Sequence, residues 1–189
     1  MTFGTEFIEE LERLENEAKI VFLELVLPNW GGPRHGFPDT LYGYMMGAFA
    51  RIDLVSAHWH GSFDDQTGRM IRFMDRYLDS DHEANSASVQ IWRHKLMHTA
   101  SPRTLRDGKT GKVYLWLLQW GEQHMPKEQH YKFQSGSSDR ILNIGLLNLV
   151  AAIKIAVAAY ITDLRAQPEL EENYQKIVKE LETYEFRHI

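Results

Sequence analysis

The sequence contains no cysteine, and this absence excludes several kinds of chemistry. Without thiols the chain has no disulfide framework, no thiolate zinc ligand and no cysteine nucleophile. Any metal-binding or proton-transferring side chains must therefore come mainly from His, Asp and Glu, and histidine occurs nine times. A chain without cysteine also suits a reducing compartment, so we expect a cytoplasmic protein.

Basic residues are outnumbered, with 21 Lys and Arg against 26 Asp and Glu and a net charge of -5. This balance argues against indiscriminate binding to nucleic acid or to anionic membranes. The first residues are acidic rather than basic and apolar, so no secretory signal is predicted. The length of 189 residues predicts a single domain, 1–189, with a sizeable core.

Long apolar runs are scarce as well, and the one at residues 141–161 is interrupted by Gly145 and Lys154. These interruptions favour a helix buried in the core over a membrane span, so we expect no membrane association. Asn143 and Asn148 also lie in this run. Because buried amides need partners, we expect them to bond between helices or across a dimer contact rather than to a ligand.

Apolar residues recur at helical spacing along most of the chain. They predict six helices: one after Thr5, one from Asp39 to Gly61, one at about 65–78, one capped by Asn85 or Ser86 and ended by Pro102, one after Ser138 and one from Pro168. Residues 113–120 and 130–134 have strand-like patterns and predict a β-hairpin with a long loop. The predicted fold class is mainly α, an antiparallel helical bundle of about six helices with a β-hairpin insertion at about 112–134.

The basic residues are concentrated between Arg93 and Lys112. This basic segment holds six Lys or Arg and one acid, a local charge of +5, which leaves -10 for the rest of the chain. It also contains His94 and His98. Because Arg stabilises phosphate charge and His transfers protons near neutral pH, the combination indicates a phosphodiester site. The alternative is a solvated helix end whose cations favour the negative end of the helix dipole.

The run RHKLMH, from Arg93 to His98, resembles the Arg-x4-6-His motif of HEPN (higher eukaryote and prokaryote nucleotide-binding) domains. The HEPN fold is an antiparallel helical bundle in which the motif lies towards the end of a later helix. The resemblance covers about residues 5–100 and the last two helices, with the hairpin as an extra element.

The resemblance implies a metal-independent endoribonuclease of the toxin or defence type, with no cofactor. Two motifs would meet at a homodimer interface, where Arg93 holds the scissile phosphate and His98 assists proton transfer. The ribose 2′-hydroxyl would be the nucleophile, and His94 would be the accessory polar residue. RNA and an antitoxin or other partner protein are then the expected partners. Further cations of the basic segment are expected to contact RNA phosphates: Lys95, Arg103 and Arg106.

The geometry of an ideal helix limits this hypothesis. A five-residue offset separates Arg93 and His98 by about 140°, so both face one cleft only if the helix loosens near His98 or a partner subunit completes the site. Many HEPN proteins are also catalytically inert. A dimerisation or nucleotide- or RNA-binding module without activity is therefore the first alternative.

A metal site is the second alternative. His94 and His98 are four residues apart and share a helix face, which is the spacing of two-His zinc ligands. His58 and His60, with Asp75 or Asp79, would complete a set of nitrogen and oxygen ligands. This alternative describes a His-based metal-binding helical protein.

Overall fold

The structure is mainly helical and includes a small sheet. A computed structural model describes residues 3–21, 39–97, 104–120, 129–136 and 138–183. The elements in this part of the chain are α1 Phe3–Val21, α2 Asp39–His60, α3 Gln66–Tyr77, α4 His82–Ile91, β1 Leu105–Arg106, β2 Val113–Gln119, β3 Arg140–Gly145, α5 Leu146–Ala166 and α6 Pro168–Glu182. A π-helical turn, Trp92–Leu96, continues α4.

Most helix boundaries follow the sequence pattern, but the predicted start of α4 is wrong. Asp81, not Asn85 or Ser86, is its N-cap, because the Asp81 carboxylate accepts a hydrogen bond from the backbone N–H of Ala84 at 2.9 Å. Asn85 is instead buried within the helix and donates to Asp75 of α3 at 2.8 Å. Its side-chain amide therefore links α3 and α4 and does not cap a helix.

Helix α2 is the centre of the helical packing, since it contacts α1, α3, α5 and α6. Apolar residues at helical spacing form a stripe along this helix, and five of them are fully buried, namely Leu41, Met45, Ala48, Ile52 and Val55. The stripe of α1 is likewise buried from Phe7 to Ala18. Each large side chain of this kind stabilises the fold by about 1.5–3 kcal/mol on leaving water.

The predicted hairpin is wrong in its pairing. Strand β2 pairs in parallel with β3, and the Cα register runs from Tyr114 opposite Arg140 to Gln119 opposite Gly145. The predicted partner, residues 130–134, lies beside β3 instead, with an isolated antiparallel bridge from Phe133 to Leu142. Parallel strands require a connection of about a dozen residues or more, and positions 120–139 separate β2 from β3 along the sequence. A short antiparallel pair does occur, between β1 and β2.

The predicted fifth helix is correspondingly too long, because its first residues form β3. A continuous apolar run fits a buried strand and a buried helix equally well, so periodicity does not separate them here. Helix α5 begins at Leu146 and is also less enclosed than expected, since Ala151 and Ile155 are exposed. By length and composition alone it is apolar enough to cross a membrane, with a mean hydropathy of 1.6 over a window of which 39% is buried.

An ion pair between a buried arginine and a partly exposed aspartate joins α2 to α3. The Arg69 guanidinium is 2% exposed and donates to the Asp53 carboxylate. It also donates to the carbonyl of Phe63 at 3.0 Å, so it holds the loop between the two helices. The Gln66 side-chain amide donates to the other Asp53 oxygen at 2.6 Å. Each charge is thus partnered, which is what makes its burial tolerable.

Replacing one partner of this pair is expected to destabilise the protein strongly. We expect Arg69→Met to lower the free energy of unfolding by about 3 kcal/mol, because Oδ1 of Asp53 and the carbonyls of Phe63 and Asp64 lose their donor. Arg72→Met is the control, since Arg72 pairs with Asp65 on the surface and is 47% exposed. Urea unfolding compares the two variants, and equal effects would contradict this account of the pair.

Candidate functional site

Helix α4, which leads into the Arg93 motif, is fixed to the sheet at its beginning. The carboxylate of Glu83 accepts hydrogen bonds from Lys112 at 3.3 Å and from the Tyr114 hydroxyl at 3.0 Å. It also accepts from the Arg140 guanidinium of β3, with 3.2 Å from Nε. These bonds, led by that from Arg140, hold the pKa of Glu83 below its usual range. A charged Glu83 is therefore the link between α4 and both long strands.

The far end of α4 is fixed by aromatic packing. Trp92, the first residue of the π-helical turn, is 2% exposed and stacks with Phe49 of α2 at a ring-centroid distance of 6.0 Å. Phe49 also stacks with Trp116 of β2 at 5.4 Å. Both tryptophans are buried in the core and are therefore not part of a base-stacking surface. The backbone of Arg93 consequently follows a firmly packed residue.

Arg93 itself lies in the π-helical turn and is half-buried. Its Nη1 donates to the Thr67 hydroxyl of α3 at 2.5 Å. In a π-helix the backbone bonds run from i to i+5, and the Met97 N–H bonds in this way to the Trp92 carbonyl. Because a π-helical turn is wider, two residues five positions apart lie closer to the same face of the helix than they do in an α-helix. Short π-helical turns are frequent at functional sites.

The structure brings together only some of the residues that the sequence pattern proposed. His94 is exposed and Lys95 is half-buried, both on the same turn as Arg93. Arg106 is exposed on β1. His98 and Arg103 lie outside the described residues. Thr67 is a further residue at the site, and no local sequence pattern reveals its contact with Arg93 across 26 positions between separate helices.

The basic segment is divided among several structural roles. Lys112 donates a hydrogen bond to Glu83, and Asp107 accepts hydrogen bonds within the turn between β1 and β2. The Asp107 carboxylate accepts from the Lys109 N–H at 2.8 Å and from the Thr110 hydroxyl at 2.7 Å. These bonds lower the pKa of Asp107, with the Thr110 hydroxyl contributing most. Arg93 and Lys95 are the cations that lie on the π-helical turn itself.

The metal alternative receives no support from the described residues. His58 is 1% exposed on α2, and its ring centroid lies 5.2 Å from that of Tyr174 on α6. His94, in contrast, is exposed. In the part of the chain that the structure describes, no three His, Asp or Glu side chains come together in a way that would hold a metal ion. His98, the third proposed ligand, lies outside that part.

Comparison with known proteins adds no relative. No protein-family model matches the chain, and no curated protein or solved structure is significantly similar to it.

The buried His58 is expected to make stability sensitive to acid. Burial lowers the pKa of His58 from 6.5 to about 4, whereas the unfolded chain titrates near 6.5. Between these pH values the unfolded state binds more protons than the folded state. The contribution of the neutral His58 to the stability of the folded state is therefore present above pH 6.5 and is lost as the pH falls towards 4. Between about pH 7 and about pH 5, we expect the free energy of unfolding to fall in both proteins. The fall should be smaller in His58→Phe than in the native protein, by on the order of 2 kcal/mol.

Urea unfolding at several pH values measures this difference. His60→Phe is the matched control, because His60 is exposed at the end of the same helix and should leave the pH dependence unchanged. A His58→Phe variant with the same loss of stability in acid as the native protein would contradict a role for this imidazole.

Proposed function

We propose that the protein is a HEPN-like, metal-independent endoribonuclease that acts as a homodimer in the cytoplasm. The observation that supports this best is the π-helical turn at Trp92–Leu96, which coincides with the Arg93 motif. An α-helix would separate Arg93 and His98 by about 140°. A turn with i to i+5 bonding is the local loosening that the motif requires if both side chains are to serve one cleft.

The proposed chemistry needs a phosphate ligand, a proton-transfer group and an internal nucleophile. Arg93 is held at one guanidinium nitrogen by Thr67, which limits its motion while other N–H groups of the fork are suited to phosphate oxygens. The ribose 2′-oxygen attacks phosphorus and the bond from phosphorus to the 5′-oxygen breaks. His98 assists the proton transfers, and the leaving 5′-oxygen takes a proton.

The other residues proposed for the site have supporting roles. His94 is exposed beside Arg93 and serves as the accessory polar residue. Lys95 and Arg106, together with Arg103, supply positive charge for the RNA backbone. The chain as a whole is acidic, with a net charge of -5. We therefore expect RNA to bind locally at the basic segment and not over the whole surface.

A second candidate is an inert HEPN-like module for dimerisation or RNA binding. The contact between Arg93 and Thr67 favours it specifically, because a half-buried arginine bonded to a neighbouring helix is also a good structural anchor. The two candidates share the fold and the dimer and differ in one property, the cleavage of RNA.

RNA cleavage by the purified protein in the presence of EDTA separates these candidates. We expect Arg93→Ala and His98→Ala each to lower the cleavage rate by about a hundredfold or more, because they remove the phosphate ligand and the proton-transfer group. Arg72→Ala is the matched control: this exposed arginine on α3 pairs with Asp65 at 3.0 Å and should retain full activity.

Three outcomes would contradict the ribonuclease proposal. Cleavage that EDTA abolishes would favour a metal-dependent enzyme, and bound Zn, Ni or Fe lost in His94→Ala would identify the metal alternative. A native protein that forms a stable dimer and cleaves no RNA would favour the inert module.

A further inference from the structure

The hydrogen bond between Arg93 and Thr67 has a fixed direction, which leaves the hydroxyl hydrogen of Thr67 unused by this bond. The Arg93 Nη1 lies 2.5 Å from the Thr67 Oγ1. A guanidinium has donors and no acceptor, so the Thr67 oxygen is the acceptor of this bond. The hydroxyl keeps its own hydrogen, and that hydrogen points away from Arg93 towards another acceptor.

A threonine within a helix commonly donates this hydrogen to the backbone carbonyl four residues earlier. Thr162 of α5 does so, since its hydroxyl donates to the Ala158 carbonyl at 3.0 Å. Thr67 lies in the first turn of α3, and the carbonyl four residues before it, that of Phe63, accepts from the Arg69 guanidinium at 3.0 Å instead. Within the described ranges, the Thr67 hydroxyl accepts one hydrogen bond and donates none.

Arg93 also differs from the arginines of α3 in its partner. Each of those arginines pairs with a carboxylate: Arg69 with Asp53, Arg72 with Asp65 and Arg76 with Asp163. Arg93 is bonded to a neutral hydroxyl, and no ion pair joins it to an acid in the part of the chain that the structure describes. Its positive charge is therefore available to an anion.

The acid nearest to Thr67 in the sequence is already paired with a cation. The Asp65 carboxylate accepts hydrogen bonds from Arg72 at 3.0 Å and from the Gly68 N–H at 3.3 Å. These bonds, led by that from Arg72, hold the pKa of Asp65 below its usual range. The negative charge of Asp65 is thus balanced by Arg72 and not by Arg93.

A hydroxyl hydrogen beside guanidinium N–H groups suits a ligand with several acceptor oxygens, and a phosphate has these. Thr67 and Arg93 are both half-buried, so neither is closed off from solvent. We propose that Thr67 is a second ligand of the RNA phosphate, with its hydroxyl donating to one non-bridging oxygen while Arg93 binds the other. This inference rests on the proposed function, in which Arg93 holds that phosphate.

A single-stranded RNA with 2′-fluorine on every ribose is the probe for this proposal. It keeps the phosphates but lacks the 2′-hydroxyl nucleophile, so binding is measured without cleavage. We expect Thr67→Val to weaken binding about tenfold, because valine keeps the branched shape and loses the hydroxyl. Thr67→Ser keeps the hydroxyl and should bind like the native protein. Thr162→Val is the matched control, since this exposed threonine bonds within its own helix and should bind RNA normally.

A double-mutant comparison separates a direct phosphate contact from a purely structural role. If Thr67 only orients Arg93, the loss of its hydroxyl has no effect once Arg93 is replaced by alanine. If Thr67 binds the phosphate itself, a loss of affinity persists in that background. We expect Thr67→Val to weaken binding by a further factor of about three or more when it is combined with Arg93→Ala.

The proposal is overturned if Thr67→Val binds the 2′-fluoro RNA as tightly as the native protein, or if Thr67→Ser binds it as weakly as Thr67→Val. It is also overturned if Thr67→Val has no further effect in Arg93→Ala, since Thr67 would then be a positioning residue only. A native protein that binds no 2′-fluoro RNA would overturn it together with the RNA site.

The NMR spectrum of the native protein decides the outcome if Thr67→Val does not fold. The backbone amide signals of residues 66–68 should move on addition of the 2′-fluoro RNA, and unmoved signals would overturn the proposal. Cleavage of natural RNA is measured separately. A native protein that shows the expected binding losses but cleaves no RNA would contradict the ribonuclease function and would keep Thr67 as a phosphate ligand of the inert module.

Discussion

The stacking of Phe49 with both Trp92 and Trp116 is the contact on which the placement of the motif depends. It joins the end of α4, the central helix α2 and the longest strand through three aromatic rings. Each such pair adds about 0.5–1.5 kcal/mol beyond the burial of its area. Because Trp92 is packed against Phe49, the π-helical turn that it begins presents Arg93 towards α3, where Thr67 accepts its hydrogen bond.

Charged side chains near the core and charged side chains at the surface have different roles in this protein. The few charges near the core are paired, as Arg69 is with Asp53, and Glu83 gathers three donors at the junction of α4 and the sheet. His94 and Arg106, in contrast, remain exposed. A chain with an acidic total can therefore offer a local binding surface for phosphate, since the ion pairs of the interior use other residues.

The helices were predictable from the sequence because an apolar stripe must be buried, and the stripes of α1 and α2 are buried as their spacing indicates. Residues 140–145 were not, because a short run of Ile, Leu and Asn suits a buried strand and a buried helix alike. The contacts of Arg93 with Thr67 and of Glu83 with Arg140 join positions remote in the chain, and no local pattern encodes them. The π-helical turn likewise leaves no periodic signal in the sequence.

The central claim is that the ribose 2′-hydroxyl is the nucleophile and that the residues of the Arg93 motif serve it. The most direct measurement uses a synthetic RNA of known cleavage position in which only the ribose before the scissile phosphate is replaced by 2′-deoxyribose. We expect the native RNA to yield a 2′,3′-cyclic phosphate and a 5′-hydroxyl end, and the substituted RNA to remain uncut at that position. Cleavage of the substituted RNA at an undiminished rate would contradict this claim.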